Sequence, residues 1–447
     1  MGPADNNEKG GTLVRNLLRA LRSRNYRLFV AGQSVSLIGT WMQQVAMSWL
    51  VYRLTGSAML LGVVGFASQI PTLLISPVAG VLADRWDRRR LLIATQVLAM
   101  LQAAFLAVVV LTGTVQVWQI ILLSLVLGIV NAFDIPVRQS FVVEMVEHRD
   151  DLGNAIALNS SMVNGARLIG PAVAGLLVAS VGEGICFILN AASYLAVIAA
   201  LAAMRIPPGS LHRPSKGPIL HELREGFRYA YTFGPIRSIL LLVSLVSLMG
   251  MPYAVLVPVF AKDILHGGAH TFGFLMTAAG SGALAGTLYL ASRRSVLGLG
   301  RVIVAAAVFF AIGIASFALS GTFILSLAAL VLAGFGAMTL VASCNTILQT
   351  ILDEDKRGRI MSFFTMAFVG MAPFGSLGAG VMAGIIGPRD TLLIGSGGCL
   401  VGAAIFLRQL PLIREKVRPI YVRMGIIREV ADGMETASEQ PTFREEQ

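Results

Sequence analysis

The chain of 447 residues is 55% hydrophobic and only 13% charged, and it contains 47 glycines. A chain this apolar is not a soluble protein, and its length excludes a protein held by a single membrane anchor. No strand-like alternation dominates its apolar stretches, so helices rather than a barrel are expected to satisfy the backbone in lipid. The net charge of +11 lies in connections and tails, so we expect no nucleic-acid partner.

The residues before the first apolar segment are 1–27, and the first ten of them are polar. From Thr12 to Arg27, leucines and arginines interleave at helical spacing. This pattern is typical of an amphipathic helix that lies on the anionic inner leaflet of a membrane. We therefore expect 1–27 to be a cytoplasmic segment with a basic amphipathic helix.

Twelve apolar segments follow, each close to the ~20 residues with which a helix crosses a bilayer. They lie near residues 28–52, 59–83, 91–113, 117–140, 155–180, 184–204, 237–261, 271–292, 300–320, 322–346, 359–386 and 391–410. A connection rich in proline and charge, 205–236, separates a first half, 28–204, from a second half, 237–410, and a tail, 411–447, follows. The sequence predicts an all-α membrane protein with twelve transmembrane helices in two six-helix halves.

Lysine and arginine are distributed unequally between the two sides of this arrangement. If both termini are inside, then of the 35 Lys and Arg only Arg53, Lys262 and Arg389 fall outside, and Arg167 lies within a span. Such asymmetry follows the positive-inside rule. We therefore expect a multi-pass protein of the plasma (inner) membrane with both termini in the cytoplasm.

The two halves carry glycines at matching positions. A shift of 205 residues superposes Gly170 on Gly375 and Gly175 on Gly380, with further coincidences nearby. The fifth and eleventh spans are therefore predicted to be copies, in two halves related by a pseudo-two-fold axis along the membrane normal.

The most charged connection between spans runs from Gly80 to Arg90. Its pattern of a glycine, an Asp-Arg pair four residues later and a cluster of arginines is similar to the loop between the second and third helices of the major facilitator superfamily. One departure is Asp87, which stands where the family has a glycine. The resemblance covers nearly the whole chain and is closest to the branch of the enterobactin exporter and related bacterial efflux proteins. The runs that favour this branch are Asn131–Gln139, Asn164–Gly175 and Lys356–Arg359.

The resemblance implies the major facilitator fold, a secondary transporter and a conformational latch at this loop. The second span ends and the eleventh begins on the same side, and a helix N-terminus attracts a carboxylate such as that of Asp84. The resemblance adds a charge network from Arg85 and Arg88 toward the fourth span. The predicted latch residues are Gly80, Asp84, Arg85, Arg88 and Arg89. The alternative is a charge cluster that only fixes the topology.

The fourth span contains Asp134 and Arg138, four residues apart near its inner end. This spacing places them on one helical face, where they can pair. An acid at membrane depth is costly enough to be a functional candidate. Two roles remain open for Asp134, a proton carrier or the far end of the charge network from Arg88.

The fifth span contains a run that resembles the Gly-Pro-x-x-x-Gly motif of exporters in the superfamily. Its residues are Gly165, Gly170, Pro171 and Gly175. Glycines allow close helix contact and a proline kink is tolerated in a membrane helix. We expect these residues to pack helices rather than to take part in chemistry.

Arg167 is a cation about midway through the same span. Helical rise puts it within about 6 Å of the level of Asp134. Arg167 is therefore predicted either to form a structural pair with Asp134 or to belong to a substrate-anion or proton-coupling site.

The central cavity of the superfamily is lined by the first, fourth, seventh and tenth helices. Polar residues follow one face of the first span in this chain, which indicates a face turned away from lipid. The predicted cavity-lining residues are Gln33, Ser36, Thr40, Gln44, Asn131, Asn164, Ser247, Met251, Asn345 and Gln349. Any one of them could serve helix packing instead.

The sequence carries no enzyme signal. None of its lysines precedes Ser or Thr, so it has no Walker A loop for an ATP-driven pump. We expect no enzymatic activity, no cofactor and no metal. The pattern predicts proton-coupled efflux of a small amphipathic molecule, siderophore-like or drug-like, by a monomer in the lipid bilayer. The alternatives are a lipid or lysolipid flippase on the same fold and a non-transporting sensor or scaffold.

Overall fold

The computed structural model describes residues 19–83, 86–146, 148–205, 228–293 and 295–427. Twelve long helices carry the described part of the chain. In chain order they are α1 (Arg24–Thr55), α2 (Ala58–Ala83), α3 (Arg88–Leu111), α4 (Val117–Met145), α5 (Leu152–Val181), α6 (Glu183–Ala203), α7 (Gly234–Ile264), α8 (Ala269–Ser292), α9 (Leu299–Leu319), α10 (Phe323–Ile351), α11 (Glu354–Phe368 and Ala372–Ile386) and α12 (Pro388–Arg423).

Eleven of these helices are long and apolar enough to cross a membrane. The twelfth is α1, whose 32 residues exceed the length that a span needs. Polar side chains such as Gln33, Gln43 and Gln44 lower its apolarity. Because α5 and α6 pack on α1, buried side chains run along its whole length from Tyr26 to Tyr52. The predicted all-α fold with twelve spans is confirmed.

The helices pack as two groups of six. In the first group α1 contacts α5 and α6, α2 contacts α4, and α3 contacts α4 and α6. In the second group α10 contacts α8 and α9, and α12 contacts α9 and α7. Between the groups, α2 packs on α11 and α5 packs on α8. The largest apolar core runs through the second group, this interface and part of the first group, and two smaller ones lie within the first group.

Two matching glycine contacts reveal the predicted repeat. A Cβ placed on Gly170 of α5 would lie 3.0 Å from the carbonyl oxygen of Ile38 in α1. A Cβ on Gly375 of α11 would lie 2.5 Å from the carbonyl oxygen of Leu248 in α7. α5 therefore meets α1 as α11 meets α7, which is the arrangement expected if the fifth and eleventh spans are copies.

The connections between helices fall at two ends of the bundle. We call the end where α1 begins at Arg24 and α3 begins at Arg88 the basic end. The far end is the opposite one, where α1 ends at Thr55 and α2 begins at Ala58.

The contacts between the halves concentrate toward the far end. A Cβ on Gly175 of α5 would lie 2.9 Å from Gly273 Cα in α8, and one on Gly380 of α11 would lie 2.8 Å from Gly62 Cα in α2. Only residues without a side chain allow two backbones to approach this closely. Toward the basic end, each ion pair among the described residues joins two residues of the same half. Among the described residues, the closest backbone approaches between the halves therefore lie toward the far end.

Both helices α7 and α11 are interrupted where they meet. α7 contains a π-helical segment, Val246–Gly250, and α11 breaks after Phe368, ahead of Pro373. The break leaves the carbonyl oxygen of Phe368 without an intrahelical partner, and the buried hydroxyl of Ser247 donates to it. In a membrane such broken helices persist only where neighbouring groups satisfy the backbone in this way.

The beginning of the described chain differs from the predicted amphipathic helix. Residues 12–18 of that prediction lie outside the described residues. The remainder forms a short 3-10 turn, Arg19–Arg22, which leads directly into α1. Arg19 donates a hydrogen bond to the carbonyl oxygen of Asp150 at 2.7 Å. The described part of this segment is therefore packed on the connection between α4 and α5.

The last helix is longer than predicted. α12 continues to Arg423, well past the predicted end of the span at residue 410, because Ile413 and Val417 extend its buried face. Most of the predicted inter-half loop, 206–227, and the end of the tail, 428–447, lie outside the described residues.

Candidate functional site

A polar cluster in the first half surrounds Asp134 of α4, which is 6% exposed. Its Oδ1 accepts hydrogen bonds from Thr95 Oγ1 at 3.0 Å and from Gln96 Nε2 at 2.7 Å, both in α3. Its Oδ2 lies 3.3 Å from Nε of Arg138, one turn further along α4. The pairing predicted from the spacing of four is present. The two donors from α3 were not predicted, because sequence spacing does not show which residues of another helix reach α4.

Only one end of the Gln96 side-chain amide is hydrogen-bonded in the described part of the protein. Its Nε2 donates to Asp134, whereas its Oε1 is buried and has no hydrogen-bond partner in the described part of the protein. An amide carries two donors at one end and an acceptor at the other. If Asp134 took up a proton, rotation of the Gln96 amide would turn the unpaired oxygen toward the new O–H. Gln96 can therefore serve either charge state of the carboxyl group.

The predicted latch is described only in part. Asp84 and Arg85 lie outside the described residues, and Gly80 lies in the last turn of α2. Asp87 begins α3 as its N-cap, since its side chain accepts a hydrogen bond from the backbone N–H of Arg90 at 2.8 Å. The departure from the family pattern at Asp87 thus has a local structural role.

Two arginines of the loop bind within the first half. Arg88 Nη1 lies 2.6 Å from Oε1 of Glu144 in the last turn of α4. Arg89 Nη2 donates to the carbonyl oxygen of Ala202 in α6 at 2.7 Å. No ion pair joins Arg88 to Asp134 in the described structure, so the expected link between them is not formed. Glu144 was missed by sequence reasoning, although its position beside the basic end made it available to a loop arginine.

Arg167 lies where helices of both halves meet. Its guanidinium carbon is 4.9 Å from the centroid of the Trp41 ring of α1. A Cβ on Gly280 of α8 would lie 3.0 Å from the Arg167 carbonyl oxygen. The structural pair with Asp134 is not formed, because Asp134 is already paired within α4.

The glycine-proline run of α5 packs helices, as predicted, except at one position. Gly170 meets α1 at Trp41 and Ile38, and Gly175 meets α8 of the other half at Gly273. A Cβ on Gly165, in contrast, would meet nothing within 4 Å. The expectation of close packing at Gly165 is therefore wrong, because that side of α5 faces open space.

The predicted cavity-lining residues divide into two sets. The buried set is Gln33, Ser36, Asn164 and Ser247. The partly or fully exposed set is Thr40, Gln44, Asn131, Met251, Asn345 and Gln349. Helical spacing cannot distinguish a face that lines a cavity from a polar face that packs on a neighbouring helix, so only the second set remains a candidate lining.

A cluster at the far end joins the halves, and sequence reasoning missed it. The hydroxyl of Tyr52 in α1 donates to Asp263 of α7, and the ammonium of Lys262 lies 5.4 Å from the Tyr52 ring centroid. Beside them, Arg53 Nε lies 2.7 Å from Oε1 of Glu183. The sequence did contain a signal for this cluster. Arg53 and Lys262 are two of the three cations predicted on the outer side, and each was expected to need a partner there.

The chain is similar to known proteins over most of its length. The family described as transmembrane secretion effector matches residues 17–420. The chain is 26% identical over 369 residues to the staphyloferrin A transporter of Staphylococcus aureus, covering 82% of this chain and 92% of that protein. It is 24% identical over 395 residues to the multidrug efflux pump Tap of Mycolicibacterium fortuitum, covering 87% of this chain and 93% of that protein.

Among solved structures, the fold is similar to that of a bacterial homologue of the human lysosomal transporter Spinster in an inward-facing and occupied conformation. The TM-score is 0.68 at 14% identity, over 86% of this chain and 96% of that one. At this identity the likeness shows a shared fold alone. The chain therefore belongs to the transmembrane secretion effector family of the major facilitator superfamily, a family of multi-pass membrane transporters.

Proposed function

We propose that the protein is a proton-coupled exporter of a small amphipathic molecule, siderophore-like or drug-like, that works by alternating access. The observation that carries the proposal is the Asp134 site, an acid inside an apolar span beside an amide that can serve both of its charge states. An ionisable group at membrane depth is costly, and a proton relay is a common reason for one. An efflux pump among the relatives supports export as the direction.

Proton uptake at Asp134 would change the contacts between two helices. Thr95 and Gln96 belong to α3, whereas Asp134 and Arg138 belong to α4. A neutral carboxyl group no longer attracts the Arg138 guanidinium. Its O–H group also needs a hydrogen-bond acceptor from α3, where the carboxylate accepts only from donors. The alternative role of Asp134, the end of the latch network, is less supported because the described partners of Asp134 are Thr95, Gln96 and Arg138.

The conformational cycle is a rocking of the two halves about the middle of the membrane. The glycine crossings and the Tyr52–Asp263 contact close the far end in the state described. The positive-inside rule assigns the basic end and both termini to the cytoplasm. On this proposal the protein is a monomer in the plasma membrane, and the state with the far end closed is its inward-facing state.

Transport by proteoliposomes tests this function. Purified protein would be reconstituted with the basic end outward, with and without an acidic lumen, and offered staphyloferrin A, a macrolide and a fluorescent lysolipid. We expect one of the first two compounds to accumulate in the lumen only when the lumen is acidic. Equal accumulation with and without the acidic lumen would contradict proton coupling. Transport of the lysolipid but of neither other compound would indicate a flippase.

Asp84→Ala is expected to shift the protein toward the inward-open state. A carboxylate at a helix N-terminus contributes about 0.3–1 kcal/mol, which corresponds to a roughly two- to fivefold change in population. The measurement is the distance distribution between spin labels at Gln139→Cys on α4 and Gln349→Cys on α10, two exposed positions near the basic end. The three native cysteines are buried and should not be labelled. An unchanged distribution would count against the latch.

A further inference from the structure

We infer that Arg167 binds an anionic group of the cargo, so that the cargo class is a small amphipathic carboxylate rather than a cation; this inference rests on the proposed export function. The residue belongs to α5 of the first half and lies against Trp41 of α1, and α8 of the second half packs on its backbone, since a Cβ on Gly280 would lie 3.0 Å from its carbonyl oxygen. A group bound here would contact both halves, which is where a cargo must bind if rocking of the halves is to carry it across.

The guanidinium of Arg167 lies beside the Trp41 ring, with 4.9 Å between the guanidinium carbon and the ring centroid. An arginine carries its N–H donors within its plane, in a fork that matches a carboxylate. Within the described structure Arg167 has no carboxylate partner. A planar carboxylate can therefore approach edge-on and accept two parallel hydrogen bonds.

Charge balance inside the spans points to the same ligand. Asp134 and Arg138 lie in the apolar part of α4 and neutralise each other through their ion pair. Arg167 keeps an uncompensated positive charge in the apolar part of α5. A cation inside a membrane span without a charged partner is costly, and an anionic cargo would neutralise it. A cationic cargo would be repelled from the same position.

The neighbouring aromatic ring fits an amphipathic ligand. Trp41 places aromatic surface beside the Arg167 cation, which suits a molecule with an acidic head and an apolar body.

Binding to the purified full chain in lipid nanodiscs tests the inference without transport. The probes are 2-naphthylacetate, the neutral isostere 2-naphthylacetamide and the cation 2-(2-naphthyl)ethylamine, and calorimetry gives their affinities. We expect the carboxylate to bind about tenfold or more tightly than the amide, as charge-assisted hydrogen bonds predict, and the amine to bind no better than the amide. Arg167→Gln should remove the preference for the carboxylate and leave amide binding unchanged.

Two further variants separate recognition from structure. Arg167→Lys keeps the charge but loses the planar fork, so the preference should shrink without disappearing. Arg53→Gln, which removes a cation at the far end, should keep the full preference. Equal affinity of the wild-type protein for carboxylate and amide would overturn the inference, as would an unchanged preference in a folded Arg167→Gln protein.

The two proposals fail in different ways. If the wild-type protein prefers the carboxylate but moves no compound under a pH gradient, the export function fails and the anion site stands. If Arg167→Gln retains gradient-driven transport of an anionic compound at the wild-type rate, the anion site fails and the export function stands.

Discussion

Replacing Asp134 by asparagine is expected to remove the dependence of transport on the pH gradient. Asparagine has nearly the shape of the acid but cannot exchange a proton, and Arg138 loses its charged partner. In reconstituted vesicles with an acidic lumen, gradient-driven accumulation of cargo should fall by at least tenfold, which corresponds to about 1.4 kcal/mol. Exchange of labelled for unlabelled cargo across the membrane, which needs no net proton movement, should continue.

The control for Asp134→Asn is a second carboxylate on the same helix. Glu144→Gln breaks the ion pair with Arg88 but lies near the basic end of α4. It should change the balance between conformations and keep the dependence on pH. If Asp134→Asn retains gradient-driven accumulation while Glu144→Gln loses it, the proton-carrying residue has been assigned to the wrong acid.

Gly175→Val is expected to prevent closure of the far end. A Cβ at this position already lies 2.9 Å from Gly273 Cα and 3.1 Å from the carbonyl oxygen of Ala269, both of them backbone atoms of α8. Overpacking of this kind typically costs about 1–3 kcal/mol, or a roughly 5- to 150-fold shift in population. The state described here should therefore be depopulated and net transport should fall by a similar factor.

Spin labels at Thr112→Cys and Thr322→Cys, exposed positions on the two halves at the far end, report the Gly175→Val effect as a longer distance. Gly165→Val is the matched control on the same helix, because a Cβ there meets nothing within 4 Å. It should leave both the distance and the transport rate near those of the wild-type protein. An unchanged far-end distance in Gly175→Val would show that this glycine crossing does not determine closure.

Local and repeated patterns were predictable from the sequence. The pairing of Asp134 with Arg138 follows from a spacing of four on one helix. The packing of Gly170 on the first span and of Gly375 on the seventh follows from the repeat of the two halves. The helical period predicts the ion pair, and the internal symmetry predicts the matching glycine contacts. Neither prediction requires knowledge of which helices pack together.

Contacts between helices distant in sequence were not predictable. Glu144 became the partner of Arg88 because the start of α3 packs beside the end of α4. Gln33 and Ser36 lie on the same polar face of α1 as Gln44, but both are buried while Gln44 stays exposed. The period of a helix identifies a polar face, and only the packing decides which part of that face remains open.

The lumenal pH during cargo uptake tests proton-coupled export most directly. Vesicles reconstituted with the basic end outward would contain pyranine and an acidic lumen, and the cargo would be whichever compound accumulates in the transport assay. The wild-type protein should make the lumen more alkaline as cargo enters, and Asp134→Asn should leave the lumenal pH at the level of protein-free vesicles. Cargo uptake at the wild-type rate without any change in lumenal pH would contradict the proposed mechanism.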